Sequence, residues 1–259
     1  MWEIDFISEE NFKEHVRNTI THYGDKLKPY NLKRFNSNTV DPVKLIFDRN
    51  VYRYSWDEII KNEIFRQRDK SNNNDIGYFH QRIFSYIDGC TVPPAGWDVI
   101  VQKNEPIRIR EVGEVSTVYV EMKNKHNTMN SASSAKTYMK MQGQLLEDDD
   151  CVCMLVEAIA KQSQNITWAV SVDGAPQRHR RIRRVSMDKF YEIVTDEADA
   201  FYQVCMALPE VIEEVVAEAQ GLTIPQDTVI EELGNCAAEV GSFEMALYLL
   251  GFKTYMGFN

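Results

Sequence analysis

No apolar run in the chain approaches the roughly 18 residues that a membrane span needs, which excludes a membrane-spanning helix. The first residues, Met1-Trp2-Glu3-Ile4-Asp5-Phe6, are acidic and lack the basic-then-apolar order of a secretory leader, so the expectation is a cytoplasmic chain. Cysteine is scarce and odd in number. Cys90, Cys151, Cys153, Cys205 and Cys236 show neither paired CxxC spacing nor the density of a small disulfide scaffold, and they read as reduced thiols. Internal repeats and low-complexity segments are absent. What is there is 259 residues, 44% hydrophobic and 26% charged, the composition of a globular protein. That length suits one large domain, or one domain with a small appendage.

The formal net charge of −10 argues at first against a nucleic-acid partner. Its distribution argues the other way. From Val185 to Asn259 there are 14 acidic residues against two basic ones, Lys189 and Lys253, which leaves residues 1–184 with a balance of +2. Arg178-His179-Arg180-Arg181-Ile182-Arg183-Arg184 packs five arginines into seven residues. Local potential decides whether a surface holds phosphates, so such a cluster suits a nucleic-acid backbone. The other reading makes the arginines intramolecular partners of the acidic C-terminal helices.

Periodicity outlines the elements. Ser8 is a plausible N-cap for a helix over 8–22, with Phe12, Val16 and Ile20 on one face. Asp41-Pro42 opens a short helix through Val43, Ile46 and Phe47. Ser55-Trp56-Asp57-Glu58 is a capping box that starts a helix to about Lys70. Ser71-Asn72-Asn73-Asn74 breaks that pattern, and a further helix carries Ile76, Phe79, Ile83, Phe84 and Ile87 up to Gly89. Trp97–Val101 reads as a buried strand, Lys103–Pro106 as a turn, Ile107 to Val112 as a second strand, and Val115–Lys123 as a third. A polar loop over 125–134 precedes a helix over 135–147. Cys151–Ile159 reads as a central strand covered on both faces. Ile166–Val172 and Ile182–Met187 flank an Asp173-Gly174 hairpin turn. Asp188 caps a long helix through Phe190, Ile193, Phe201 and Val204, and the acidic remainder is helical with breaks near Pro209 and Pro225. The fold class is α/β, a mixed sheet between helices.

The chemistry concentrates at Asp98, Glu121 and Lys123. Asp98 stands among apolar strand residues, where an ionised carboxylate is costly unless it is paired or binds a cation. Glu121 and Lys123 lie two apart on a strand and share a face, while Val120 and Met122 point into the core. A hairpin between these strands brings the two carboxylates alongside, a hard-oxygen set suited to Mg²⁺. An ammonium beside them positions a water or steadies charge on a phosphate oxygen. The segment that follows, Asn124 to Lys136, is rich in Asn, Lys, Ser and Thr and almost free of acid, the residue types that bond phosphates and base edges. Its candidate DNA contacts are Lys125, His126, Asn127, Asn130, Ser131, Ser133 and Lys136, joined by Arg178, Arg180 and Arg181 from the basic cluster, with Arg183 and Arg184 beside them. An exposed ion pair between Glu121 and Lys123 and a merely solvated loop are the competing readings.

Gly96-Trp97-Asp98 with Val120-Glu121-Met122-Lys123 resembles the PD-(D/E)XK nuclease signature, with Trp97 where a proline usually precedes the aspartate. The longer set, Gly77-Tyr78-Phe79-His80-Gln81, Gly96 to Ile100 and Glu121 to Asn130, resembles type II restriction endonucleases of the group that cuts GGNCC, over about residues 55–190. The resemblance implies a restriction-endonuclease-like mixed β-sheet flanked by helices, with N-terminal helices and an acidic helical C-terminal region. It implies a Mg²⁺-dependent homodimer acting on double-stranded DNA, with Asp98 and Glu121 as metal ligands and Lys123 orienting water. It also implies a cognate DNA methyltransferase that shares the site without having to bind this chain. Glu63, ahead of Glu58, is the candidate third metal ligand from a preceding helix; a solvated helix position is the alternative. His80 and Gln142 are weaker candidates for supporting the site.

The expected organisation is a nuclease domain over 1–190 and an acidic helical region over 191–259, packed on it or forming a small subdomain. Two other functions stay open: a structure-specific repair or recombination nuclease on the same scaffold, and a non-catalytic DNA-binding module.

Overall fold

The computed structural model describes residues 2–26, 28–126, 128–218 and 226–256, with only the backbone at 25 and 26. In chain order the elements are α1 (Glu9–Lys26), α2 (Leu32–Asn36), α3 (Pro42–Tyr52), α4 (Trp56–Arg82), β1 (Cys90–Thr91), β2 (Val99–Ile109) and β3 (Gly113–Lys125). They continue as α5 (Ser131–Glu147), β4 (Cys151–Ile159), β5 (Asn165–Val172), β6 (Ala175–Ser186), α6 (Met187–Thr195), α7 (Ala200–Glu218), α8 (Val229–Val240) and α9 (Phe243–Phe252). The chain resolves into two compact units, one of residues 1–20 and 76–218, the other of residues 21–75 and 219–259. Each is made of two separate stretches of the chain; the division suggested from the sequence lay at residue 190.

The first unit is built on a six-stranded sheet in the order β1-β2-β3-β4-β6-β5. β1, β2 and β3 run antiparallel, β3 pairs β4 and β4 pairs β6 in parallel, and β5 closes the edge antiparallel to β6. α5 provides the crossover that parallel pairing of β3 with β4 requires. Along β3 the alternate residues Val118, Val120 and Met122 are buried with Val152, Met154 and Val156 of β4 against Phe12, Phe84, Phe190 and Val194. On the other face Tyr138, Met141 and Leu145 of α5 pack on Cys153, Leu155, Trp168 and Ile182. Residues 151–157 are therefore buried on both sides, as their unbroken apolar run predicts.

In the second unit α3 starts at Pro42 with Asp41 as its cap, and Ser55 and Glu58 exchange the reciprocal hydrogen bonds of a capping box at the head of α4. Its core joins Phe35, Leu45, Ile60 and Ile64 to Val229, Leu233 and Leu247.

Several element limits differ from those the sequence predicts. Ser71–Asn74 continue α4, with Asn73 Nδ2 donating to Asp69 one turn back; the modest helix penalties of Ser and Asn do not stop it. Lys103–Pro106 is no turn: β2 runs through it, and the irregular register between Gln102 and Ile107 accommodates a proline without an N–H. α5 begins at Ser131, because the Asn130 side chain accepts the Ser133 N–H and closes the loop early. β6 extends back to Ala175, so the arginine cluster is strand and not loop. The long helix after Ser186 is two, α6 and α7, and Pro209 lies inside α7 without ending it. Pro225 lies outside the described residues.

Candidate active site

The site forms on the β2–β3 hairpin. Gly96, at φ +94°, takes the left-handed backbone that ends the Pro93-Pro94-Ala95 turn, a conformation a side chain would strain. Asp98 follows directly. Its N–H donates to the Val120 carbonyl at 3.0 Å, and its Oδ2 accepts the Met122 N–H at 2.7 Å. The pairing of Val99 with Val120 continues this register and sets Asp98 beside Glu121.

Glu121 and Lys123 share the sheet face opposite Val120 and Met122, which are buried. Lys123 Nζ donates to Glu121 Oε1 at 2.8 Å, and Lys140 Nζ of α5 donates to Oε2 at 2.8 Å. Burial pushes the Asp98 carboxyl above the usual carboxylate range; the Met122 N–H opposes this and the Glu121 charge adds to it. Burial acts on Glu121 in the same direction, but the hydrogen bonds and charges of Lys123 and Lys140 outweigh it and hold that carboxyl below its usual range. The two carboxylates thus feel each other and are balanced by two ammonium groups. Among the described residues no cluster of three or more His, Cys, Asp or Glu has metal-binding geometry; Asp98 and Glu121 set two hard carboxylate groups side by side on this face.

Glu157 of β4 lies in register with Lys123 and is almost wholly buried. It holds His126 Nδ1 at 3.1 Å and Arg184 by an ion pair, and Arg184 also contacts His126. The His126 N–H extends the β3–β4 ladder to Ile159. These contacts fix the start of the polar segment that follows β3. Gly77 of α4 has the Asn124 side chain 3.3 Å from where a Cβ would stand, a close approach that a larger residue would crowd.

The remaining predicted residues fall in different places. Lys125, Asn130, Ser131 and Lys136 are exposed, Asn130 and Ser133 form the α5 cap, and Asn127 lies outside the described residues. Arg178 and Arg180 are exposed and have no ion-pair partner among the described residues, while Arg181 reaches the carbonyls of Asp149 and Cys151. Arg183 does not belong with them. It is fully buried, bonded to Asn165, Thr167 and Glu111, and out of reach of any phosphate. Among the described residues none of the ion pairs of the cluster goes to the acidic C-terminal helices. Glu63 belongs to the second unit, where its carboxylate accepts from Arg66 and Gln67 within α4. Glu58 is the capping-box partner of Ser55. His80 packs edge-on against Phe79, and the Gln142 side chain makes no hydrogen bond among the described residues. Sequence reasoning passed over Glu157 of β4 and, on α5, Lys140 and Gln144, which flank Gln142. The signal of the α5 pair was a spacing of four along the helix after the motif.

A mixed sheet carrying Asp98, Glu121 and Lys123 on one hairpin is the arrangement of a PD-(D/E)XK nuclease. More particularly, the sequence profile of the Eco47II restriction endonuclease family matches residues 4–217, and the chain belongs to that family. It is 30% identical over 219 residues to the type II restriction enzyme Sau96I of Staphylococcus aureus, covering 82% of this chain and 80% of that one. It is 28% identical over 244 residues to the type II restriction enzyme Eco47II of Escherichia coli, covering 89% and 97%. The chain is accordingly a type II restriction endonuclease, a site-specific deoxyribonuclease. No described helix is long and apolar enough to cross a membrane.

Proposed function

We propose that this endonuclease hydrolyses double-stranded DNA with Mg²⁺ as cofactor, at a short two-fold site that the family resemblance makes GGNCC. The observation that carries the reading is the pairing of Asp98 and Glu121 on adjoining strands with Lys123 bonded to Glu121. Asp98 and Glu121 would hold the ion, which when bound polarises the phosphoryl group and acidifies a coordinated water. Asp98 contributes an oxygen steadied by the Met122 N–H, so its carboxylate keeps one orientation. Lys123, anchored at Glu121, orients the attacking water and steadies charge growing on the phosphate oxygens. Lys125, His126, Asn127, Asn130, Ser131, Ser133 and Lys136 follow the catalytic strand and contact the duplex, with Arg178, Arg180 and Arg181 on its phosphates. A homodimer supplies one active site to each strand of a two-fold sequence. A DNA methyltransferase reading the same sequence is the matching partner in the cell and need not touch this chain.

The test is a duplex of known sequence with purified Asp98→Ala and Glu121→Ala. Both variants should bind the duplex and fail to cut it. Turnover retained in either removes the metal-site assignment.

A further inference from the structure

Glu121 carries two ammonium groups, and the nuclease signature accounts for one of them. Lys123 takes Oε1 from the same strand. Oε2 takes Lys140 Nζ at 2.8 Å, which arrives from α5. The same Nζ donates to the Gly96 carbonyl and stands 4.0 Å over the ring centroid of Trp97. Gly96 and Trp97 immediately precede Asp98, so Lys140 touches both arms of the hairpin that carries the two carboxylates.

Its position is held by the fold. The Trp97 indole N–H donates to Gln144 Oε1 at 3.0 Å, and the ring lies 5.4 Å from that of Tyr119. Lys140 and Gln144 are four residues apart on one helix face and close on Trp97 together. A carboxylate oxygen, a carbonyl oxygen and an aromatic face surround the ammonium, three groups that attract a cation. Lys140 is also the more exposed of the two lysines, at 35% of its side chain against 28% for Lys123, and its contact is the easier one for solvent and ions to reach.

We propose that Lys140 is a built-in counter-ion: it occupies Glu121 Oε2 in the free enzyme and is displaced when a divalent ion binds there. This rests on the assignment of Asp98 and Glu121 as the metal site. Lys140 is a positioning residue. It keeps Glu121 ionised and aimed at the site, and it weakens metal binding by competing for the same oxygen.

The test is Mn²⁺ binding to the full chain without DNA, followed by loss of the free-ion paramagnetic signal. Lys140→Met should bind Mn²⁺ about three- to fivefold more tightly than the wild type, the size expected for releasing one half-exposed pair. Lys140→Arg, which keeps the charge, should bind as weakly as the wild type. Lys33→Met makes the same charge change on an exposed side chain of α2 and should leave the affinity unchanged. Equal or weaker binding by Lys140→Met, or equal tightening by Lys33→Met, overturns the proposal. Lys140→Gln repeats the comparison if the methionine variant does not fold; loss of the fold in both makes Lys140 structural and the proposal fails. Glu121→Gln separates the two claims. If it binds Mn²⁺ as the wild type does, the metal-site assignment itself is wrong, whatever Lys140 does.

Discussion

Asp98 Oδ2 accepts the Met122 N–H at 2.7 Å, which ties the first carboxylate of the site to the strand that carries the second. The bond is local, made across a hairpin already fixed by the pairing of Val99 with Val120. It keeps an ionised group in a half-buried place that, as its raised pKa shows, disfavours the charge. Asp98→Asn keeps an oxygen for the Met122 N–H and removes the charge. It should abolish cleavage and raise the thermal midpoint at neutral pH, the trade expected where a site is charged at the expense of stability. A lowered midpoint in the metal-free protein would show that the charge is stabilising.

Lys123→Met should lower the cleavage rate by about 10²- to 10⁴-fold, the range for losing one group that handles a proton or water, with duplex affinity little changed. Replacing Mg²⁺ by Ca²⁺ should likewise allow binding without cutting, because the looser coordination of Ca²⁺ does not place the water. Filter binding beside single-turnover cleavage separates the two effects. Rapid cutting by Lys123→Met would move the water-orienting role elsewhere.

The arginines divide into two kinds. Arg183→Met removes a buried guanidinium from Asn165 and Thr167 and should cost on the order of 2–4 kcal/mol of stability, measured by denaturant unfolding. Arg178→Ala and Arg180→Ala should leave stability unchanged and flatten the salt dependence of DNA binding by about one phosphate contact each. An unchanged salt slope in both would take these two residues off the DNA.

His15 is buried and donates Nε2–H to the Phe79 carbonyl at 3.0 Å, beside the Phe79 ring. Burial lowers its pKa to about 4 from 6.5, with the carbonyl bond opposing the shift. The unfolded chain therefore binds this proton more readily, and the contribution of His15 to stability is complete above pH 6.5 and falls as the pH drops towards 4. The loss is on the order of 3 kcal/mol over that window. His15→Leu should make unfolding free energy less steep there, and an unaltered acid slope would place the sensitivity in other groups.

Much of the fold was legible because its signals are local. The capping box at Ser55 and Glu58, the Asp41 cap, the run from Cys151 to Ile159 and the Asp173-Gly174 turn, with φ of +50° and +80°, all stand where the sequence puts them. The misread places are those where packing overrides propensity. Ser71–Asn74 stay helical, Pro106 sits at a strand irregularity and Pro209 sits within a helix. Asp98, Glu121 and Lys123 were legible because strand alternation alone puts Glu121 and Lys123 on one face, and a hairpin brings Asp98 to them. Lys140 and Glu157 were not. They reach that face from α5 and β4, through a crossover whose register no local pattern states. The same reason hid the burial of Arg183, which a run of five arginines disguises.

The central claim is tested most directly by incubating the purified chain with a plasmid of known sequence, in Mg²⁺ and in EDTA. Discrete fragments formed only with Mg²⁺, their ends mapping to one short two-fold motif, are the predicted result. An intact plasmid in Mg²⁺, or a smear that persists in EDTA, contradicts the account.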